Sequence, residues 1–139
     1  MTDVHEPKTR SYNMSQIRSK DTKPELIVRK FLHRKGLRFS LHAKDLPGKP
    51  DIKLTKYKTV VNVHGCFWHG HEDCEHFKMP KSNIDYWENK IYGNKERDKA
   101  NRKKLKKMGW KVITFWECKL KKDDSLERLE NLYLEIIKE

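Results

Sequence analysis

V-N-V-H-G-C-F-W-H-G-H-E-D-C-E-H-F-K, running from Val61 to Lys78, is the stretch on which the reading of this chain turns. A short apolar run ends at its start. The continuation then crowds two of the three cysteines, four of the seven histidines and an adjacent Phe-Trp pair into one polar segment. Going back two residues, Thr59 to His64 is the most β-branched run in the sequence, which predicts a central strand. The loop beyond it is not core-building material. Side chains of this kind, this close together, point to metal ligation.

Working outward toward the N-terminus, Lys56 to Lys58 turns the chain and Asp51 to Leu54 reads as a second strand. The two strands form a hairpin. Leu46-Pro-Gly-Lys-Pro50 is a rigid turn, because its prolines exclude helix, and it delivers Asp51 to the start of that strand. Leu37 to His42 alternates loosely and fits a further strand. Thr22-Lys-Pro-Glu25 is a helix start, with Thr22 as cap, Pro24 where a missing N–H costs nothing, and Glu25 closing a capping box. Ile27, Val28, Phe31 and Leu32 form its inner stripe, and Gly36 stops it. Glu25 thus has a structural explanation to set beside any catalytic one. Asn13 to Lys20 fits a short helix presenting Met14 and Ile17 on one face. Residues 1–12 read as an extended arm that an anionic partner would order.

Toward the C-terminus, Ser82 is placed to cap a long helix. Its inner stripe runs Ile84, Trp87, Ile91, Asn94, Asp98, Asn101, Leu105, Met108. An inward Asp98 must be paired or must bind a metal, since burying a bare carboxylate is costly. Arg97 or a lysine would neutralise it; catalysis is the alternative. Gly109 ends this helix, Trp110 to Trp116 is a strand, and Ser125 to Lys138 is a last helix with Leu126, Leu129, Tyr133 and Ile136 inward. The order of elements predicts an α/β sandwich with a mixed sheet, a single domain over residues 1–139 and no repeats.

At 139 residues the chain suits one core of modest size. Lys and Arg outnumber Asp and Glu by 32 to 20, a net +12, and such a surplus favours a polyanionic partner. The absence of a long apolar run and of a signal peptide predicts a cytoplasmic, nucleoid-associated protein. In a reducing compartment, closely spaced Cys and His serve metals sooner than disulfides.

Cys66, His71 and Cys74, joined by Cys118 from the end of a strand, make a closed tetrahedral shell that suits structural zinc. His69 or His76 in place of His71, or plain buried thiols at Cys66 and Cys118, are the alternatives. Asp51 at a strand start, beside a strand ending in His64, is an arrangement that seats magnesium through hard oxygen ligands. His64 and His69 remain to activate or orient water near neutral pH.

P-G-K-P-D, V-H-G-C-F-W-H-G-H, N-K-E-R-D and G-W-K-V-I-T-F-W-E-C occur here in that order, preceded by R-S-x-N-M and T-K-P-E-L. Over roughly residues 3 to 120 the chain resembles the very-short-patch repair (Vsr) mismatch endonucleases. The resemblance implies a restriction-endonuclease-like three-layer sandwich of the PD-(D/E)xK type. It implies an enzyme that nicks double-stranded DNA on the 5′ side of the T in a T·G mismatch left by 5-methylcytosine deamination. It also implies Asp51 and the Val63 backbone carbonyl as Mg2+ ligands, with His64, Glu25 and Asp98 around the metal's water shell and His69 as the catalytic histidine. For Zn2+ it implies Cys66, His71, Cys74 and Cys118.

Phe67 and Trp68, pointing apart on extended backbone, fit an apolar wedge that enters the DNA stack at a step weakened by mismatch. Met14 and the basic arm are expected to clamp the opposite groove. A monomer is expected, with mismatch-repair proteins as candidate further partners. Two rival readings keep these features: a restriction-like or general repair endonuclease of the same fold, and a non-catalytic zinc DNA-binding module in which Asp51 and Asp98 are structural.

Overall fold

The computed structural model describes residues 22–72, 74–75 and 79–138. The N-terminal arm, the short helix bearing Met14 and Ile17, and His76 lie outside the described residues.

Helix α1 (Lys23–Arg34) leads into β1 (Ser40–Leu41), β2 (Ile52–Leu54) and β3 (Thr59–His64). Helix α2 (Ile84–Lys107) crosses to β4 (Lys111–Trp116), and α3 (Ser125–Ile137) follows. The four strands lie in the order β1-β2-β3-β4. The first two pairings are antiparallel, β2 and β3 joined by a short turn at 55–58, and β3 pairs parallel with β4. A parallel pair needs a long crossover, which α2 supplies. The sheet is therefore mixed, as expected.

Alternation along β3 and β4 divides the interior in two. Val61 on β3, with Ile113 and Phe115 on β4, packs with Val28 and Leu32 of α1 and Leu129, Leu132 and Ile136 of α3. Val60 and Val112 point the other way, to Leu105 of α2, Trp110, Ala43 and Leu46. Helices thus cover both faces, giving three layers. The β-branched run at Thr59–Val61 is fully buried because it is covered on both sides. Burial of each large aliphatic side chain here contributes about 1.5–3 kcal/mol.

Several local expectations are corrected. The capping box at α1 does not form: Thr22 sits at the N-cap but makes no side-chain cap bond, and Glu25 is buried and turned elsewhere. Ile27 is exposed, so Val28 and Leu32 carry the stripe. Gly36 does stop the helix, at φ +90°. β1 is shorter than the Leu37–His42 expectation, spanning Ser40–Leu41 alone, and it ends where His42 adopts φ +48°, the left-handed region. Asn83, also left-handed, replaces Ser82 as the cap of α2.

On α2, Ile91 and Leu105 are buried while Ile84 and Met108 are largely exposed. The cause is length. Twenty-four residues span about 36 Å, whereas six-residue strands span roughly 20 Å, so both ends of the helix overhang the sheet. On α3, Leu132 joins the core and Leu126 is exposed, one turn short of the sheet. Lys111 Nζ donates to the carbonyls of Glu135 and Lys138, the latter at 2.9 Å, satisfying the C-terminal end of that helix.

Gly48, in the Pro47–Pro50 turn, sits at φ +77° and abuts α2. A Cβ there would lie 2.7 Å from Asn101 Nδ2. The turn is pressed against the helix, and this fixes where Asp51 begins.

Candidate active site

The β3–β4 register sets His64 opposite Trp116 on the α2 face of the sheet. Beyond His64 the chain leaves the extended conformation at once. His69 N–H donates to Gly65 O at 3.2 Å and His71 N–H to Cys66 O at 2.9 Å, so the loop coils back on itself. Its end is tied down by Cys66 N–H donating to Glu117 Oε1 at 3.0 Å. The coil brings His69 back over His64, their rings stacked at 3.7 Å between centroids and 3° from parallel.

From α2, Asp98 reaches His69: Oδ2 lies 2.7 Å from Nδ1. The partner of Asp98 is therefore this histidine and not Arg97, whose guanidinium donates to Asn94 Oδ1. Burial pushes the Asp98 carboxyl up, but the His69 hydrogen bond, with the basic groups of His69, His64 and Arg102 around it, outweighs this and holds it below its ordinary value. His64 behaves oppositely. Its burial first, then the His69 imidazole stacked against it, lowers it to about 3, so it is a neutral imidazole at pH 7.

On the other side of the same cleft, Asp51 Oδ2 accepts a hydrogen bond from Val63 N–H at 2.7 Å. Burial pushes Asp51 up to about 6; the Val63 bond opposes the shift and the Glu25 carboxylate adds to it. Glu25, with a side chain only 3% exposed, is held by Arg29 one turn on and by His42 Nε2 at 3.0 Å. The donor atoms of Glu25, His42 and Asp51 lie within 4.8 Å of one another, as do those of His64, His69 and Asp98. Between these groups opens a cleft of about 950 Å³, walled also by Phe67, Trp68 and Arg102.

The third cluster is behind the loop. Donor atoms of Cys66, His71, Cys74 and Cys118 also fall within 4.8 Å of one another, with Cys118 Sγ 3.6 Å from His71 Nδ1. The His71 ring stacks on Trp116 at 4.0 Å, which orients it toward the thiols. Burial raises the Cys66 thiol to about 12 and raises Cys118 as well. Of the histidines considered for this cluster, His71 is present and His69 is committed to Asp98; His76 lies outside the described residues.

Every described candidate residue thus falls into one of these clusters or onto the cleft wall. Phe67 and Trp68 depart from expectation, since they do not point apart. The loop is coiled there, their rings meet edge to face at 5.1 Å, and both contact Trp87 of α2, at 5.5 and 5.6 Å. Asn94 Nδ2 fixes the loop by donating to Trp68 O at 2.8 Å. Sequence reasoning missed His42, which has no motif around it, and Glu117, which lies inside the G-W-K-V-I-T-F-W-E-C motif but was given no role, and it placed Trp87 in the core.

Residues 2–76 match the family of DNA mismatch endonuclease Vsr. Among similar proteins, the type II nicking enzyme V.NmeAIP of Neisseria meningitidis serogroup A is 53% identical over 137 residues, covering 98% of this chain and 97% of the relative. V.XorIIP of Xanthomonas oryzae pv. oryzae, also described as a type II nicking enzyme, is 49% identical over 133 residues, with 95% and 97% covered. The DNA mismatch endonuclease Vsr of Escherichia coli K12 is 40% identical over 136 residues, with 94% and 86% covered. The chain belongs to the DNA mismatch endonuclease Vsr family. No helix among the described residues is long and apolar enough to cross a membrane.

Proposed function

We propose that the cleft between Asp51 and the His69–Asp98 pair cuts one strand of double-stranded DNA at a T·G mismatch, on the 5′ side of the T, with Mg2+ as cofactor. The observation that carries this reading is the convergence, in one cleft, of a buried carboxylate at a strand start and a carboxylate-oriented imidazole, with Phe67 and Trp68 at its wall. Family membership and the mixed three-layer architecture support a restriction-endonuclease-like fold of the PD-(D/E)xK type.

The donor sets fit the two implied metals. Three sulfurs and one imidazole nitrogen, closed on themselves, suit Zn2+ in a structural role. Asp51, raised to about 6 by its surroundings, gains from a nearby cation that favours its charged form; with the Val63 carbonyl it would hold Mg2+. Bound there, magnesium polarises a phosphate and offsets charge on a leaving oxygen.

The chain's own groups do the rest. The His69 Nδ1–H donates to Asp98, leaving Nε2 with its lone pair to take a proton from an attacking water. His64, neutral, packs under that ring and fixes its plane. Glu25 lies beside Asp51 and orders solvent there. Phe67 and Trp68 enter the stack at the mismatch, where unstacking is least costly, and Met14 with the basic arm grips the opposite groove. Lys90 and Arg102 on the cleft wall face the phosphate backbone.

The test uses labelled duplexes, matched and T·G-mismatched, with magnesium or EDTA. Magnesium-dependent nicking of only one strand of the mismatched duplex supports the reading. Cleavage of both duplexes points to a general endonuclease, and binding without cleavage to a non-catalytic module. F67A/W68A should lose mismatch discrimination by tenfold or more, since base–aromatic stacking is worth about 1–3 kcal/mol per base, while non-specific binding changes little.

A further inference from the structure

We infer that Arg102 is a catalytic residue, whose guanidinium donates to the non-bridging oxygens of the phosphate being cut, beyond any general grip on the DNA backbone. This rests on the reading of the cleft as the place where a phosphodiester bond is hydrolysed.

Arg102 lines the cleft from α2, four residues after Asp98. Residues at that spacing share a helix face, about 6 Å apart along the axis. An aspartate and an arginine so placed ordinarily pair. Here they do not, because Asp98 is committed to His69 Nδ1 at 2.7 Å. Among the described residues the partly buried Arg102 side chain has neither a hydrogen bond nor an ion pair. Arg97, by contrast, is spent on Asn94. The five N–H donors of Arg102 therefore stand free for an acceptor that enters the cleft, and the oxygens of a phosphate match their fork.

The position of this side chain is set from both sides. Asn101, the residue before it, abuts the turn that delivers Asp51, since a Cβ at Gly48 would lie 2.7 Å from Asn101 Nδ2. Leu105, three residues on, is buried and packs with Val60 of the central strand and with Trp110. The helical turn bearing Arg102 is thus held in register with the Asp51 turn and with the sheet. Its charge also reaches the reacting groups. After burial and the His69 ring, it helps to lower His64. Against the upward push of burial, it supports the His69 bond in holding Asp98 down. Lys23, Lys49 and Lys90 line the same cleft without an effect of that size on either group.

The reaction gives such a cation a task. As the oxygen of water bonds to phosphorus, its proton passes to His69 Nε2. The bond from phosphorus to the leaving oxygen breaks, and solvent protonates that oxygen. Negative charge gathers on the non-bridging oxygens while both bonds are partial. A guanidinium already fixed beside the base meets this charge without reorganising. Because arginine stays protonated, it does not compete with His69 for the proton of the water.

The experiment uses zinc-loaded full-length protein, Mg2+ and a labelled T·G duplex with enzyme in saturating excess. Single-turnover nicking rate and duplex Kd are measured for wild type, R102Q and R102A. In both variants the saturated rate should fall about 100-fold or more, the scale of losing one transition-state donor, while Kd weakens far less. Low-millimolar guanidinium ion should restore part of the R102A rate, and urea, similar in shape but uncharged, should not. An unchanged rate overturns the assignment. So does a loss confined to Kd, which is a backbone grip alone, and so does a rate loss in R102A that guanidinium leaves untouched, which marks a displaced helix. If R102A fails to fold, the split between rate and Kd in R102Q decides. A wild-type protein that nicks no duplex overturns the underlying reading of the cleft instead.

Discussion

Asp98, in the middle of a long polar helix, places a carboxylate oxygen 2.7 Å from Nδ1 of His69, which sits on a loop at the end of the central strand. Twenty-nine residues separate them in sequence, and the bond determines which nitrogen of His69 faces the cleft. D98N should keep the fold and DNA affinity yet lower the single-turnover nicking rate by about 100-fold or more, the scale of general-base catalysis. Because the two groups act as a unit, H69Q/D98N should be little worse than H69Q alone. Additive losses would sink the coupling.

The stacked neighbour His64 predicts a pH dependence. Its native value, about 3, lies below the ordinary 6.5. As pH falls below 6.5 the unfolded chain takes up this proton and the native chain does not, so stability is intact above 6.5 and is lost progressively toward 3. Asp51, raised to about 6, works in the opposite sense between 3.8 and 6, so the comparison must isolate His64. Between pH 7 and pH 5, wild type should lose roughly 2 kcal/mol relative to H64Q. Denaturant unfolding of both proteins at the two pH values measures this, and parallel curves would contradict it.

The thiol cluster predicts proton release. Burial raises Cys66 and Cys118, so without a cation they are protonated at pH 7, and zinc must displace those protons. Titrating metal-free protein with Zn2+ in weak buffer with a pH indicator should liberate about three protons per ion, one per thiol. C118S should release fewer and bind more weakly. Folding with no uptake of zinc would remove the metal from the account.

A fourth expectation concerns the turn before Asp51. G48A meets both a left-handed backbone and the side chain of Asn101, and should cost at least 1–2 kcal/mol. G48A/N101A should recover the steric part and not the backbone part. Thermal unfolding of the two variants separates them. A wild-type melting temperature in G48A would mean that the turn does not press on α2.

Much of this was legible in the sequence because the signals were local. The β-branched run at Thr59–His64 predicted the buried strand, and the crowding of cysteines and histidines marked a ligand cluster by residue type, although it left His69 and His76 open beside His71. What escaped were features that tertiary contacts decide. Glu25 has the spacing of a capping box, but Arg29 and His42 compete for its carboxylate and win. Phe67 and Trp68 were read as extended because nothing in adjacent residues reveals a coiled loop closed by Glu117 from beyond β4. Trp87 fits an inward stripe, yet it meets the Phe-Trp pair because the sheet is too short to cover that end of α2. His42 had no pattern at all; only a backbone bend makes it part of the site.

The parallel pairing of β3 with β4 carries one more consequence, for the order in which the molecule is made. Cys118 and His71 are 47 residues apart in sequence and meet only through that pairing. A chain emerging from the ribosome presents Cys66, His71 and Cys74 well before α2 and β4 exist. Glu117, which pins the loop, arrives later still, next to Cys118. The half-made protein therefore holds the pieces of the centre without the strand that assembles them, and the loop can be pinned only once β4 and Glu117 have been made.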